Sequence, residues 1–210
     1  MTAITFLDYA GVTLFAVTGA LAASRKQLDI VGFLFLATVT GIGGGTVRDL
    51  IIGAPVFWVA QHAHILACVA AAVVVFFTAH LLESRYRWLL WLDAMALAAY
   101  GVFGAYKGLT ATGSPVVAVA MGMLTGTFGG ILRDVLAGEP SVLMRKEIYI
   151  TAAMAGAAVF VAAADAAGLP LPYAAAAGFV TAFGIRGGAL AFGWTLPAYK
   201  SRPGRPPPEP

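Results

Sequence analysis

The chain has 210 residues, of which 60% are hydrophobic and 11% charged, and its net charge is +3. A soluble domain carries about 25% charged residues, so the composition excludes a water-facing globular surface and implies an all-α integral membrane protein. The basic residues are dispersed, which excludes a nucleic-acid footprint, and the single cysteine, Cys68, excludes an intrachain disulfide and reads as a small buried hydrophobe.

Apolar stretches of about 20 residues are long enough to cross a bilayer as helices. Seven follow one another with short connections. The first covers residues 4–23. It has no basic region ahead of it, so it is expected to stay as a span and not to be cleaved as a signal peptide. The second, 30–52, contains "TGIGGGTVRDLIIGAP" at 40–55. The third covers 64–82 and the fourth 88–106. The fifth, 115–137, contains "TGTFGGILRDVLAGEP" at 125–140. The sixth covers 148–167 and the seventh 173–194. The tail from 198 to 210 is rich in proline and charge and is expected to be disordered.

Arg25, Lys26, Arg85, Arg87, Arg145, Lys146, Lys200, Arg202 and Arg205 fall on one side of this arrangement, and Lys107 alone on the other. Lysine and arginine prefer the cytoplasmic side. The amino terminus is therefore expected outside and the carboxyl terminus in the cytoplasm.

Shifted by 85 residues, the sequence matches itself without a gap. Asp8 meets Asp93, Gly19 meets Gly104, Thr40-Gly41 meets Thr125-Gly126, and Gly44-Gly45 meets Gly129-Gly130. Arg48-Asp49 meets Arg133-Asp134, Gly53 meets Gly138, and Pro55 meets Pro140. Each half holds three spans, an odd number, so the second half must enter the membrane from the opposite side. One transmembrane domain, 1–197, is expected: a first repeat at 1–84, an inverted second repeat at 85–168, and an added seventh helix at 169–197.

Inverted repeats with glycine-interrupted helices line transport paths near the bilayer midplane. Gly41, Gly43, Gly44 and Gly45 are expected to bend or break the second span, and Gly126, Gly129 and Gly130 the fifth. Close helix packing is the other use of such small residues. The matched clusters, each followed by Arg-Asp, favour the pathway. Arg48 and Asp49 point about 100° apart on a helix and make a poor face-to-face pair. Each is expected to find another partner, with Asp8 and Asp93 opposite the arginines. Arg48, Asp49, Arg133 and Asp134 then either clamp helices or set the field and gate of the path, and the two roles are compatible. Arg186, inside the seventh span, is expected to pair with a repeat aspartate. His62 and His64 share no helical face and have no acidic cluster beside them, so an interfacial role is expected and a metal site is not. Trp58, Trp88, Trp91 and Trp194 sit near span ends as interfacial anchors do. Lys107 reads as a solvated charge. No nucleotide loop or nucleophile–base pattern marks an enzyme. These residues alone allow a path for a cation or for a zwitterion such as a small amino acid.

The two phrases "GIGGGTVRD" and "GTFGGILRD", followed by "GAPVFWV" and "GEPSVLMRKEIY", resemble the bacterial branch of the TRIC (trimeric intracellular cation) channel family. The same sequences are also described as glycine-transporter-like membrane proteins. The resemblance covers about residues 5–197. It implies seven transmembrane helices built as three plus three plus one, in a homotrimer in a bacterial inner membrane. It further implies a pore in each protomer, with spans two and five kinked at their glycines, and monovalent-cation conduction, chiefly of potassium. No cofactor is implied, only permeant potassium or sodium ions and bound lipid. "KEI" at 146–148 is loosely similar to a lipid-binding lysine motif of animal members, and that role is not carried over. A secondary transporter of a small amino acid such as glycine is the alternative, and a membrane scaffold whose repeat serves only packing is a third reading.

Overall fold

Helix boundaries are written in the sequence as caps. Asp29 accepts the Gly32 amide at 2.8 Å, Ser84 accepts that of Arg87, and Ser114 accepts that of Val117 with Pro115 next in line. Such side chains satisfy amides that a helix start leaves without partners. Gly113 and Gly193 close two helices in the left-handed conformation, with φ of 66° and 70°, which glycine adopts without a Cβ penalty.

The computed structural model describes residues 3–82, 84–144 and 147–197. Its helices are α1 (Ala3–Arg25), α2 (Ile30–Ile51), α3 (Phe57–Ala60), α4 (Ala63–Thr78), α5 (Arg85–Thr112), α6 (Pro115–Leu136), α7 (Ile150–Val161) and α8 (Leu171–Phe192). The chain is all-α among the described residues, with one isolated bridge between Glu147 and Thr195. Six helices are long and apolar enough to cross a membrane, and Ile150–Ala166 is a shorter apolar helix. Every expected span is thus matched by a helix. α5 overruns its expected ends, α7 finishes in a π-helical turn at Ala162–Ala166, and the one-turn α3 was not expected. The tail from 198 to 210, with Lys200, Arg202 and Arg205, lies outside the described residues, as do Arg145 and Lys146.

α5 lies at the centre, packed on α1, α6, α7 and α8. Its residues 96–105 are all buried. α1, α2 and α4 form one group, α5, α6 and α7 the other, and α8 covers α5 and α7. Large apolar side chains such as Phe6, Phe35, Leu66, Phe77, Val116 and Val180 face outward, as lipid contact requires. The interior is rich in alanine and glycine, which let helices approach closely around buried large side chains such as Phe15, Tyr100 and Phe160.

The glycine clusters do not break their helices. α2 and α6 run unbroken through them. A Cβ added at Gly129 would lie 2.5 Å from the Thr40 carbonyl oxygen of α2, and one at Gly44 would collide with the Thr125 carbonyl oxygen of α6. These are equivalent positions in the two halves, so the helices cross back to back at glycine. The absence of side chains serves contact, and the helical hydrogen bonds are kept.

Candidate functional site

The residues after the glycines build two matching brackets. Arg48 Nε donates to Asp49 Oδ1 at 2.8 Å, and Nη2 lies 2.7 Å from the same oxygen. Arg133 repeats this on Asp134 Oδ1, with Nε at 3.0 Å and Nη2 at 2.8 Å. Neighbouring residues therefore do pair, contrary to expectation. The long guanidinium arm folds back along its own helix, so the 100° offset between the two stems does not decide where the charges meet. The second oxygen of each aspartate anchors the chain beyond its helix: Asp49 Oδ2 accepts the Phe57 amide at 2.9 Å, and Asp134 Oδ2 the Val142 amide at 3.1 Å. Gly53 and Gly138, with φ of 67° and 62°, make the equivalent turns between.

Each bracket faces an aspartate of the first helix in its own half, and here the halves part. Arg133 Nη1 donates to Asp93 Oδ1 at 2.6 Å and to Thr18 Oγ1 at 3.1 Å. The expected Asp93–Arg133 pair is present. Asp8 does not pair with Arg48. Its Oδ2 lies 3.0 Å from His64 Nε2, and Arg48 Nη1 has no hydrogen-bond partner. Two exchanges account for the difference. Thr18 is replaced at the equivalent position by Phe103, whose ring lies 5.0 Å from the Arg48 guanidinium. His64 is replaced by Tyr149, whose hydroxyl is packed against Gly130.

Both clusters are buried. Arg48 and Asp49 have no exposed surface, and Arg133 keeps 4%. α1 gives Asp8 to the first cluster and Thr18 to the second, while α5 gives Phe103 to the first and Asp93 to the second. Ten residues of helix separate each pair, about 15 Å along the axis. The α2–α6 glycine crossing joins the two helices that carry the brackets. Gly41 packs on Cys68, Gly43 on Leu132, Gly45 on Phe57 and the Tyr100 hydroxyl, and Gly126 on the Leu97 carbonyl.

The second cluster opens into a recess of about 10 Å³, room for about one water. Arg25, Asp93, Arg133, Asp134, Glu139 and Arg186 contribute to its lining. Glu139 bridges to Lys26 at 3.1 Å and Arg25 at 3.4 Å, tying the loop after α6 to the end of α1. Arg186 pairs with Glu147 at 2.6 Å and donates to the Ile148 carbonyl oxygen at 3.3 Å. Its expected partner, a repeat aspartate, is not the one found, because Arg133 already occupies Asp93 and Asp134. His64 is 1% exposed, enclosed by protein in the first turn of α4. Its spacing from Asp8 in sequence gave no sign of the contact. The repeat register held a clue, since Asp8 and Asp93 match while 64 and 149 do not. Trp58 is turned inward enough for its Nε1 to donate to Thr46 Oγ1 at 2.9 Å, whereas Trp88 and Trp194 are exposed.

A sequence model described as "Glycine transporter" matches the chain twice, at residues 5–80 and 90–165. The second match lies 85 residues after the first. The inner membrane protein YadS of Escherichia coli K12 is 36% identical over 196 residues, covering 92% of this chain and 95% of that protein. A TRIC trimeric intracellular cation channel orthologue from Rhodobacter sphaeroides superposes with a TM-score of 0.89 at 54% identity, covering 92% of this chain and all of that one. The chain belongs to the TRIC family. A second structure, solved in work on conductance through TRIC cation channels, is 27% identical with a TM-score of 0.84 over 97% of this chain and all of the other. This TRIC-family chain is thus similar along almost its whole length to membrane-spanning channels, which are not enzymes. The two family matches each contain one aspartate of a first helix, one glycine cluster and one Arg-Asp bracket.

Proposed function

We propose that the chain is a homotrimeric monovalent-cation channel, with potassium as its chief permeant ion and one pathway in each protomer between α2 and α6. The observation that carries this is the excess of carboxylates over arginines in the two clusters. Asp93 and Asp134 surround Arg133, and Asp8 and Asp49 accompany Arg48 in the first cluster, where His64 on Asp8 sets the net charge between zero and −1. Two buried sites of that composition, about 15 Å apart, create a field that favours cations over anions. The family relationship supports the same reading. In this account Gly44 and Gly129 form the constriction, closed here by backbone contact, and conduction requires α2 and α6 to move apart. Gly41, Gly43, Gly45, Gly126 and Gly130 provide the small surfaces on which they move. Arg48, Asp49, Arg133, Asp134, Asp8 and Asp93 set the field, and Arg186 holds the loop that leads into α7.

The protein would sit in a bacterial inner membrane with its amino terminus outside, since Arg25, Lys26, Arg85 and Arg87 gather at the end that bears the second cluster. A carrier of a small amino acid is the rival reading. It draws on the family description and on the partnerless Nη1 of Arg48, a donor that a substrate carboxylate would fit. Proteoliposomes separate the two. A channel passes potassium down its gradient at a rate that does not saturate in the millimolar range, with no accumulation of radiolabelled glycine. Saturable glycine uptake without potassium flux would replace the channel by the carrier.

A further inference from the structure

The His64 ring presents both nitrogens to oxygen atoms that accept hydrogen bonds. Nδ1 lies 3.0 Å from the Gln61 carbonyl oxygen and Nε2 3.0 Å from Asp8 Oδ2. A neutral imidazole carries one N–H, so it can serve only one of these oxygens. The second contact requires one more proton, held on the ring or on the carboxyl group. The arrangement therefore contains a shared proton between Asp8 and His64. Removing that proton leaves one N–H: kept on Nε2 it holds Asp8 and gives up the Gln61 contact, kept on Nδ1 it turns a lone pair to the carboxylate and releases Asp8, and a second donor close to Asp8 favours the release.

The other candidate partner for Asp8 is Arg48, whose guanidinium lies 5.7 Å from the Phe57 ring that abuts His64. Arg48 has no hydrogen-bond partner on Nη1, and Asp8 has none on Oδ1. In the second half the equivalent atoms are joined: Arg133 Nη1 holds Asp93 Oδ1 at 2.6 Å, from the same positions on α6 and α5 that Arg48 and Asp8 occupy on α2 and α1. The second half lacks the histidine and shows the arginine-paired state. The first half has the histidine and shows the alternative.

We propose that the Asp8–His64 pair is a proton-binding site at which Asp8 exchanges His64 for Arg48 when the proton leaves, making one end of the pathway sensitive to pH. The effect on current rests on the channel reading above, whereas the exchange itself does not. The ring is held for this between Tyr9, stacked at 4.4 Å, and Phe57, edge-on at 4.8 Å. The titratable and charged groups around the pair are Tyr9 from α1, Arg48 and Asp49 from α2, Tyr100 from α5, and Cys68 from α4 itself. With the proton bound, Asp8, His64, Arg48 and Asp49 sum to zero charge. Without it they sum to −1. Raising the pH therefore makes this end more attractive to cations, and cation current rises.

The test uses the full chain in lipid nanodiscs and planar bilayers between about pH 5 and 8, where imidazole ordinarily changes charge. The chain has three histidines, His62, His64 and His80. The double variant H62Q/H80Q leaves the 15N signals of His64 alone. Those signals are expected to move from the doubly to the singly protonated ring, or to report the loss of the shared proton, as the Arg48 side-chain 15N signals shift with them. Potassium current is expected to rise over the same interval, and the rise is expected to vanish in H64Q. Ring signals that stay fixed across the interval overturn the proposal, whether or not H64Q assembles. So does a current in H64Q that keeps the wild-type pH dependence, or a wild-type current independent of pH. A titrating His64 in a protein that passes no current at any pH leaves the exchange standing and removes the channel reading instead.

Discussion

Replacing Arg133 by alanine is expected to destabilise the protein by about 3–5 kcal/mol, the range for removing one partner of a buried ion pair. Two carboxylates depend on this guanidinium. Asp93 loses the 2.6 Å contact to Nη1 and Asp134 loses both Nε and Nη2. Asp93 has a side chain only 2% exposed, so water cannot take over at low cost. Arg133→Lys is expected to recover little, because a single ammonium cannot span Asp93, Asp134 and Thr18 as a planar fork does. Arg48→Ala is expected to cost less. It strands Asp49, whereas Asp8 keeps its contact to His64. Thermal unfolding of the purified variants in one detergent measures the order. Arg48→Ala proving as damaging as Arg133→Ala would show that the asymmetry between the halves carries no energetic weight. In a double-mutant cycle, Arg133→Ala with Asp93→Ala should lose less than the sum of the single changes.

The second large effect is expected at the helix crossing. Gly129→Val places a branched side chain where even a Cβ lies 2.5 Å from the Thr40 carbonyl oxygen. The opposing atom belongs to backbone within a continuous helix and cannot swing aside. Overpacking of this kind costs about 1–3 kcal/mol or more. Gly44→Val meets the Thr125 carbonyl oxygen in the same way and should behave alike. Gly184 in α8 provides the contrast, because no heavy atom lies within 4 Å of its added Cβ. Gly184→Ala is expected to be neutral or to stabilise by about 0.5–1 kcal/mol through helix propensity. Equal losses at Gly129 and Gly184 would mean that the crossing is not tight. Unfolding midpoints and the yield of folded protein report both.

Much of the fold was legible because the bilayer leaves few options. A run of about 20 apolar residues has to be a helix, and the gapless repeat at 85 residues carried the pairing of the two halves. The Asp93–Arg133 contact followed from the same register. What escaped the sequence was geometry that composition does not encode. A glycine cluster serves equally to break a helix or to admit a neighbouring backbone, and only the Thr40 and Thr125 carbonyls distinguish the two. Arg48 and Asp49 looked mismatched because stem directions were compared, whereas the guanidinium reaches well beyond its stem. The Arg186–Glu147 pair joins residues 39 apart, with all of α7 and much of α8 between them and no periodicity to announce it. The His64–Asp8 contact spans 56 residues, and the register marked it only by the mismatch of His64 with Tyr149.

Repeat asymmetry therefore distinguishes two clusters that the symmetry alone would make alike. Matched positions define the frame: aspartate, glycine crossing, bracket. Unmatched positions, Thr18 against Phe103 and His64 against Tyr149, decide that one arginine is saturated and the other is not. An evolutionary duplication that kept the frame could specialise its two ends through these few side chains.

A cation path between two carboxylate-rich clusters is the core of this reading, and single-channel recording in a planar bilayer under asymmetric potassium chloride is its sharpest test. The account predicts discrete currents that reverse near the potassium equilibrium potential. Currents reversing near the chloride potential, or silent bilayers from folded trimers across the pH range, would contradict it.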